Sequence, residues 1–172
     1  AARRPGPLRP CGDRVSSSIN DVLDAVIETL RGETGLVVHG IVDSPVFPCV
    51  MVRLATDLDI GESTYFGAFQ RGIYTLPVVL DVLDSASDID GAQRFVYEVI
   101  SPFGERSVVR ALFENATLGT DPDEQPGGAS ARYMAKVARA RFEGIPTLFE
   151  NGPRAVVARV DVAVAVTIRG EE

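Results

Sequence analysis

The 172-residue sequence predicts an α+β fold: a two-layer domain, mostly antiparallel sheet covered by helices, in the order α-β-β-β-α-α-β-β. Three observations predict it. The stretch AVVARVDVAVAVTI, residues 155–168, alternates β-branched and small or charged residues, the mark of a long strand with one buried face. Three other segments carry apolar residues at helical spacing. The strand segments are mostly sequence neighbours, which favours antiparallel pairing over crossovers.

The elements follow in order. Residues 1–15, AARRPGPLRPCGDRV, form an extended basic N-terminal arm, and residues 16–172 a single domain. The arm's simplest reading is a solvated tail; contact with an acidic neighbour or DNA is the alternative. From about Ser18 to Arg31, Ile19, Val22, Leu23, Val26, Ile27 and Leu30 make one apolar stripe. Ser16, Ser17 or Ser18 caps that helix, and Gly32 and Gly35 end it. Leu36–Val42 reads as a short strand and Asp43-Ser44-Pro45 as a turn. Pro48–Ala55 sets Val50 and Val52 on one face, Met51 and Arg53 on the other. Residues 56–71 are a long loop or hairpin tip. Gly72–Leu83 is the third strand, with Tyr74, Leu76, Val78, Leu80 and Val82 on one face. Pro77 within it predicts an edge or a bulge.

Helices then span Asp88–Ile100 and Glu105–Asn115. The second of these gathers Val108, Val109, Leu112 and Phe113. Residues 120–130 are a loop. Arg132–Phe142 and Ala155–Arg169 form two long strands, with a turn at Asn151-Gly152. On residues 155–168, Val156 to Ile168 in steps of two face the core. Val157, Arg159, Asp161, Ala163, Ala165 and Thr167 form a small, partly charged second face that meets water, another subunit or a channel.

Composition bounds the function. Hydrophobic content of 45% and charged content of 24% are ordinary for a globular protein. No apolar run of about 18 residues occurs, and the start lacks a signal-peptide core, so no membrane association is expected. The formal charge is −7; the first sixteen residues carry +3, leaving −10 on the rest, the wrong field for attracting DNA. Two cysteines, Cys11 and Cys49, are too few for a disulfide framework. His39, the only histidine, sits in a short apolar strand and reads as structural. Too few His and Cys ligands lie close together for a metal site. Asp81, Asp84, Asp88 and Asp90 cluster without calcium-loop spacing. Neither a P-loop nor a dinucleotide fingerprint occurs. No catalytic residue, metal or cofactor is therefore expected, and the chain reads as a non-enzyme. Tyr65, Phe66 and Phe69 lie beside Asp57, Asp59 and Glu62, a pairing that suits protein contact better than phosphate. Such loop aromatics mark a binding surface or fold back as core.

The order of DSPVFPCVMV, FQRGIYTLPVVLDVLDSASD, AQRFVYEVIS and SPFGERSVVRALFENATLG after a first amphipathic helix resembles the tail terminator (neck) proteins of long-tailed, siphovirus-type bacteriophages, especially those of actinobacterial hosts. The likeness covers about residues 16–169, most of one domain. It implies a hexameric ring that caps the tail tube, stops its polymerisation and joins it to head-completion (stopper) proteins. The implied location is the virion neck, and the host cytoplasm during assembly. Genomic DNA would pass through the lumen without specific binding, which an acidic bore permits. Asp57, Asp59, Glu62 and Asp161 are the lumen-facing candidates; Tyr65, Phe66, Phe69 and Arg71 are the docking candidates. Another head-tail connector component, a stopper or adaptor, is the rival reading. A small enzyme or ligand-binding domain is the rival from another class. Replacing Tyr65, Phe66 and Phe69 together by Ser is expected to leave a folded chain that no longer joins tails; particle yield in a complementation assay checks it.

Overall fold

Residues 19–42, 45–55, 73–120, 131–145 and 154–168 are described by the computed structural model. Helix α1 (Ile19–Thr34) presents Val22, Val26 and Leu30, spaced four apart, as fully buried side chains. That spacing puts all three on one face. Gly35 closes it: its N–H donates to the Arg31 carbonyl at 3.2 Å with φ +67°, a conformation that a side chain would strain. Gly32, expected at the helix end, lies inside it. The Thr34 hydroxyl donates to the Leu30 carbonyl at 2.6 Å and carries the last turn past that glycine.

The described residues hold five strands: β1 (Val38–His39), β2 (Cys49–Leu54), β3 (Ile73–Ser85), β4 (Ala131–Gly144) and β5 (Ala155–Ile168). They form one sheet in the order β1-β2-β3-β5-β4. All pairs are antiparallel except β1 with β2. The sheet is therefore α+β in type, with the element order the sequence predicts. The longest pairing joins β3 to β5 without interruption from Ile73 opposite Thr167 to Ser85 opposite Ala155. Strand β1 keeps only two residues of the seven expected.

Pro77 sits in an interior strand, not at an edge or bulge. It tolerates this place because β2 stops short of it. The Ala55 N–H donates to the Pro77 carbonyl at 3.0 Å, so the side where Pro77 lacks an N–H faces the end of β2, not β5.

Helices α2 (Ile89–Ile100) and α3 (Val108–Glu114) lie with α1 on one face of the sheet. Val50, Val52, Leu76, Val78, Leu80, Val82 and the Val156–Val166 register of β5 meet Phe95, Val96, Val99, Val108 and Leu112 there. Each such valine or leucine contributes roughly 1.5–3 kcal/mol on full burial. On α3 the buried set is Val108, Ala111 and Leu112, while Phe113 stands 84% exposed. At 100° per residue Phe113 stands about 140° round the helix from Val108 and about 100° from Leu112, so it falls outside the buried face that was expected to include it.

Local chemistry sets the helix starts. Asp88 caps α2 by accepting from the Gly91 N–H at 3.1 Å. Ser107 caps α3 by accepting from the Arg110 N–H at 3.0 Å, and its hydroxyl donates to the Ser101 carbonyl. Ser107 is fully buried, so one hydroxyl satisfies two backbone groups that water cannot reach. The turn after α3 covers part of the sheet edge. Ala135 N–H donates to the Ala116 carbonyl at 2.7 Å, and Tyr133 N–H to Thr120 Oγ1 at 2.9 Å. Beyond that, β4 carries register shifts between Val137 and Arg139 and between Phe142 and Gly144. Bulges and charges of this kind blunt an edge strand against unwanted pairing.

Ser107→Ala is expected to cost about 1–2 kcal/mol of unfolding free energy, more than Asp88→Ala at an exposed cap. Urea denaturation of both variants measures the difference.

Candidate functional site

Among the described residues one face of the sheet carries no helix, and this helix-free face is built by simple alternation. Side chains opposite each other in the ladder share a face. One row crosses the sheet as Arg53, Val79, Asp161 and Arg139. The next holds Met51, Asp81, Arg159 and Arg141. On one side of these two rows lies an apolar row of Cys49, Leu83 and Val157; on the other lie Pro77, Ala163 and Lys136, then Thr75, Ala165 and Met134.

Asp81 anchors the charged rows. Its side chain is 4% exposed and takes Arg53 Nε at 2.6 Å on one oxygen and Arg159 Nε at 3.0 Å on the other. These contacts tie β2, β3 and β5 together across the face. Two charge-assisted contacts offset the desolvation of a buried carboxylate; removing that carboxylate leaves two half-buried guanidinium groups facing each other. A second pair, Asp161 with Arg139 at 3.3 Å, ties β5 to β4. A third joins Arg141 to Glu143 at 2.5 Å within β4.

The small residues of β5 now have a local reason. Ala163 lies between Pro77 and Lys136, and Ala165 between Thr75 and Met134. Long neighbours flank short ones, so the face is shallow there. Lys136 is exposed and Met134 is 52% exposed. The apolar row at the other end is closed: Cys49, Leu83 and Val157 are fully buried, with Phe47 packed beside them. Burial, with the Asp84 carboxylate adding to it, pushes the Cys49 thiol up to about 11. That thiol is neutral and inert at physiological pH.

Of the residues the sequence singles out, Asp161 lies on this face, paired with Arg139 and 28% exposed at its side chain. Asp57, Asp59, Glu62, Tyr65, Phe66, Phe69 and Arg71 lie outside the described residues. The acidic cluster disperses. Asp81 turns to the helix-free face, Asp84 accepts from the Ser85 N–H at 2.7 Å, Asp88 caps α2, and Asp90 pairs with Arg94 at 3.1 Å. Among the described residues, no group of three or more His, Cys, Asp or Glu gathers to hold a metal ion. His39 is half-buried with Nδ1 2.7 Å from the Gly40 carbonyl. Among the described residues, no helix is long and apolar enough to cross a membrane.

Sequence reasoning missed the joint role of Arg53, Arg139, Arg141 and Arg159. The alternation in ARYMAKVARARF places Met134 and Lys136 in one register, which was the available signal. The bulge between Val137 and Arg139 shifts that register and brings Arg139 and Arg141 to the same face. No protein-family model matches this chain, and neither does any curated protein sequence.

Asp81→Ala is expected to lower stability by about 2–4 kcal/mol, because it strands two cations at one spot. Removing one of the two stranded cations with Arg53→Met in the same chain is expected to recover part of the loss, as a double-mutant cycle in denaturant measures. At Cys49 the unfolded thiol ionises near 9.0 and the folded one near 11. Above pH 9 the unfolded state therefore binds fewer protons, and this site's contribution to stability falls between those two values. Cys49→Ser removes that slope, as unfolding free energies at pH 8 and pH 10 reveal.

Proposed function

We propose that this chain is a tail terminator of a long-tailed bacteriophage, a ring subunit that caps the tail tube and joins it to head-completion proteins. One observation carries the reading beyond the sequence resemblance. The sheet gives one face to its helices, and among the described residues no helix lies on the other, which carries charged and small side chains across long strands. Such a face suits contact between subunits. A closed ring needs two different surfaces on each subunit, one meeting the other on the next copy. The domain offers them on its opposite sides: a helical layer and a sheet face whose exposed part holds Met134, Lys136, Arg139 and Arg141.

The work of such a subunit is geometric. Its rings stop the tube by covering the edges that a further tube ring would use. Of the four acids expected at the bore, Asp161 is balanced by Arg139, and Asp57, Asp59 and Glu62 lie outside the described residues. An acidic bore offers DNA no fixed cations that would hold its phosphates.

Electron microscopy of the purified chain mixed with tail tube protein tests this reading. The expected result is six-fold rings at one end of tubes of limited length. Chains found away from the tube axis, or tubes that elongate unchecked, contradict it. Fractionation separates the rival connector role: a terminator travels with headless tails, a stopper with filled heads.

A further inference from the structure

Strand β4 is one edge of the sheet. Its pairing with β5 is regular from Ala131 to Val137 and shifts register beyond that. Along the regular stretch the chain supplies its own substitute for a further strand. The Ala135 N–H donates to the Ala116 carbonyl at 2.7 Å, and the Tyr133 N–H to Thr120 Oγ1 at 2.9 Å. A neighbouring strand would place a carbonyl oxygen at both positions; here a hydroxyl takes one of them. Thr120 is 2% exposed, and the same hydroxyl donates to the Thr117 carbonyl at 2.6 Å. One side chain therefore ties the turn to itself and to the strand.

The turn is held down at a cost. Leu118 has φ +50° and Gly119 φ +78°, and the Thr120 N–H closes the reversal onto the Thr117 carbonyl at 2.9 Å. Glycine takes such angles freely, but a leucine is strained in them. The Leu118 side chain is 5% exposed in the main core, so its burial offsets the strain and presses the turn onto the sheet. Arg132 adds a second cost. Its Nη1 donates to the Thr120 carbonyl at 2.7 Å, yet its buried Nε finds no acceptor among the described residues. Lifting the turn relieves both, since Leu118 regains ordinary backbone angles and Arg132 meets water. Costs gathered at one short element favour its opening apart from the core around it.

We propose that residues 116–120 are a strap that guards the β4 edge, latched by the Thr120 hydroxyl, and that lifting it opens the edge to pairing with a second copy. An unpaired row of N–H and C=O groups on a regular strand is a template for another chain. Beyond Val137 the register shifts spoil that template, so a strap is needed only where it lies. The proposal is independent of the terminator reading, because it concerns an edge of the sheet and not its faces.

Amide hydrogen exchange followed by NMR tests the strap. In the wild type, Tyr133 and Ala135 are expected to exchange together, at least about tenfold faster than the interior amides of β5, at rates that low urea leaves unchanged. Thr120→Val keeps the shape and removes the hydroxyl. In dilute solution it should speed those two amides at least about tenfold further while β5 keeps its protection; Thr120→Ser should restore the wild-type rates. As the Thr120→Val chain is concentrated, the two amides should regain protection and sedimentation velocity should show dimers, because a second copy's strand takes the strap's place. Contacts through the sheet face or the helices would leave those two amides fast. Wild-type exchange of Tyr133 and Ala135 only together with β5 overturns the proposal, even where the variant fails to fold. So does a Thr120→Ser chain that behaves like Thr120→Val, and so does an edge that stays exposed in Thr120→Val at every concentration reached.

Discussion

The uninterrupted pairing of β3 with β5 is the constraint on which the rest depends. Strand pairing has a side-chain period of two, so one register assigns every side chain to a face. The assignment from Ile73 opposite Thr167 to Ser85 opposite Ala155 sends Leu76, Val78, Leu80 and Val82 to the helices along with Val156 to Val166. A slip by one residue would bury Arg159 and Asp161 and expose the valines. Asp81 adds a second lock, since it reaches Arg53 on one neighbour and Arg159 on the other only in this register. Hydrophobic burial supplies the stability, and the ion network penalises the wrong alignment.

From that constraint follow the two unlike sides of the domain. The helices need the valine face, so charge is left to the outer surface of the helices and to the far side of the sheet. Net charge of −7 conceals an uneven division, since the helices carry more carboxylates than arginines and the helix-free face more basic side chains than carboxylates. A chain polarised in this way favours contacts between unlike surfaces over contacts between like ones. The edges agree with that economy. Strand β1 is two residues long, and β4 is capped in part by the turn after α3 and bulged beyond it, so neither edge favours sheet extension.

Much of the fold was legible in the sequence because its signals are local and periodic. The valine alternation of β5 and the stripe of α1 each reside within a few residues. Pro77 misled because a proline's tolerance depends on where the neighbouring strand stops, which no local pattern records. Phe113 misled because four apolar residues in a row of six do not share one helical face. The charged network was the least legible part. Asp81 stood beside Asp84 and Asp88 in sequence and read as part of an acidic cluster, while its real partners lie 28 and 78 residues away. The bulge that brings Arg139 onto the face is a property of the pairing, not of β4 alone.

Coverage of the sheet face in the assembled state is the central claim, and the chain's two methionines offer a direct reading of it. Both lie on the helix-free face, Met51 at 4% exposure and Met134 at 52%. Peroxide converts an accessible methionine to its sulfoxide, and mass spectrometry locates it. In the free chain Met134 should oxidise readily and Met51 slowly. In assembled particles Met134 should fall to the slow rate of Met51; equal oxidation of Met134 in the free and assembled chain would contradict the account.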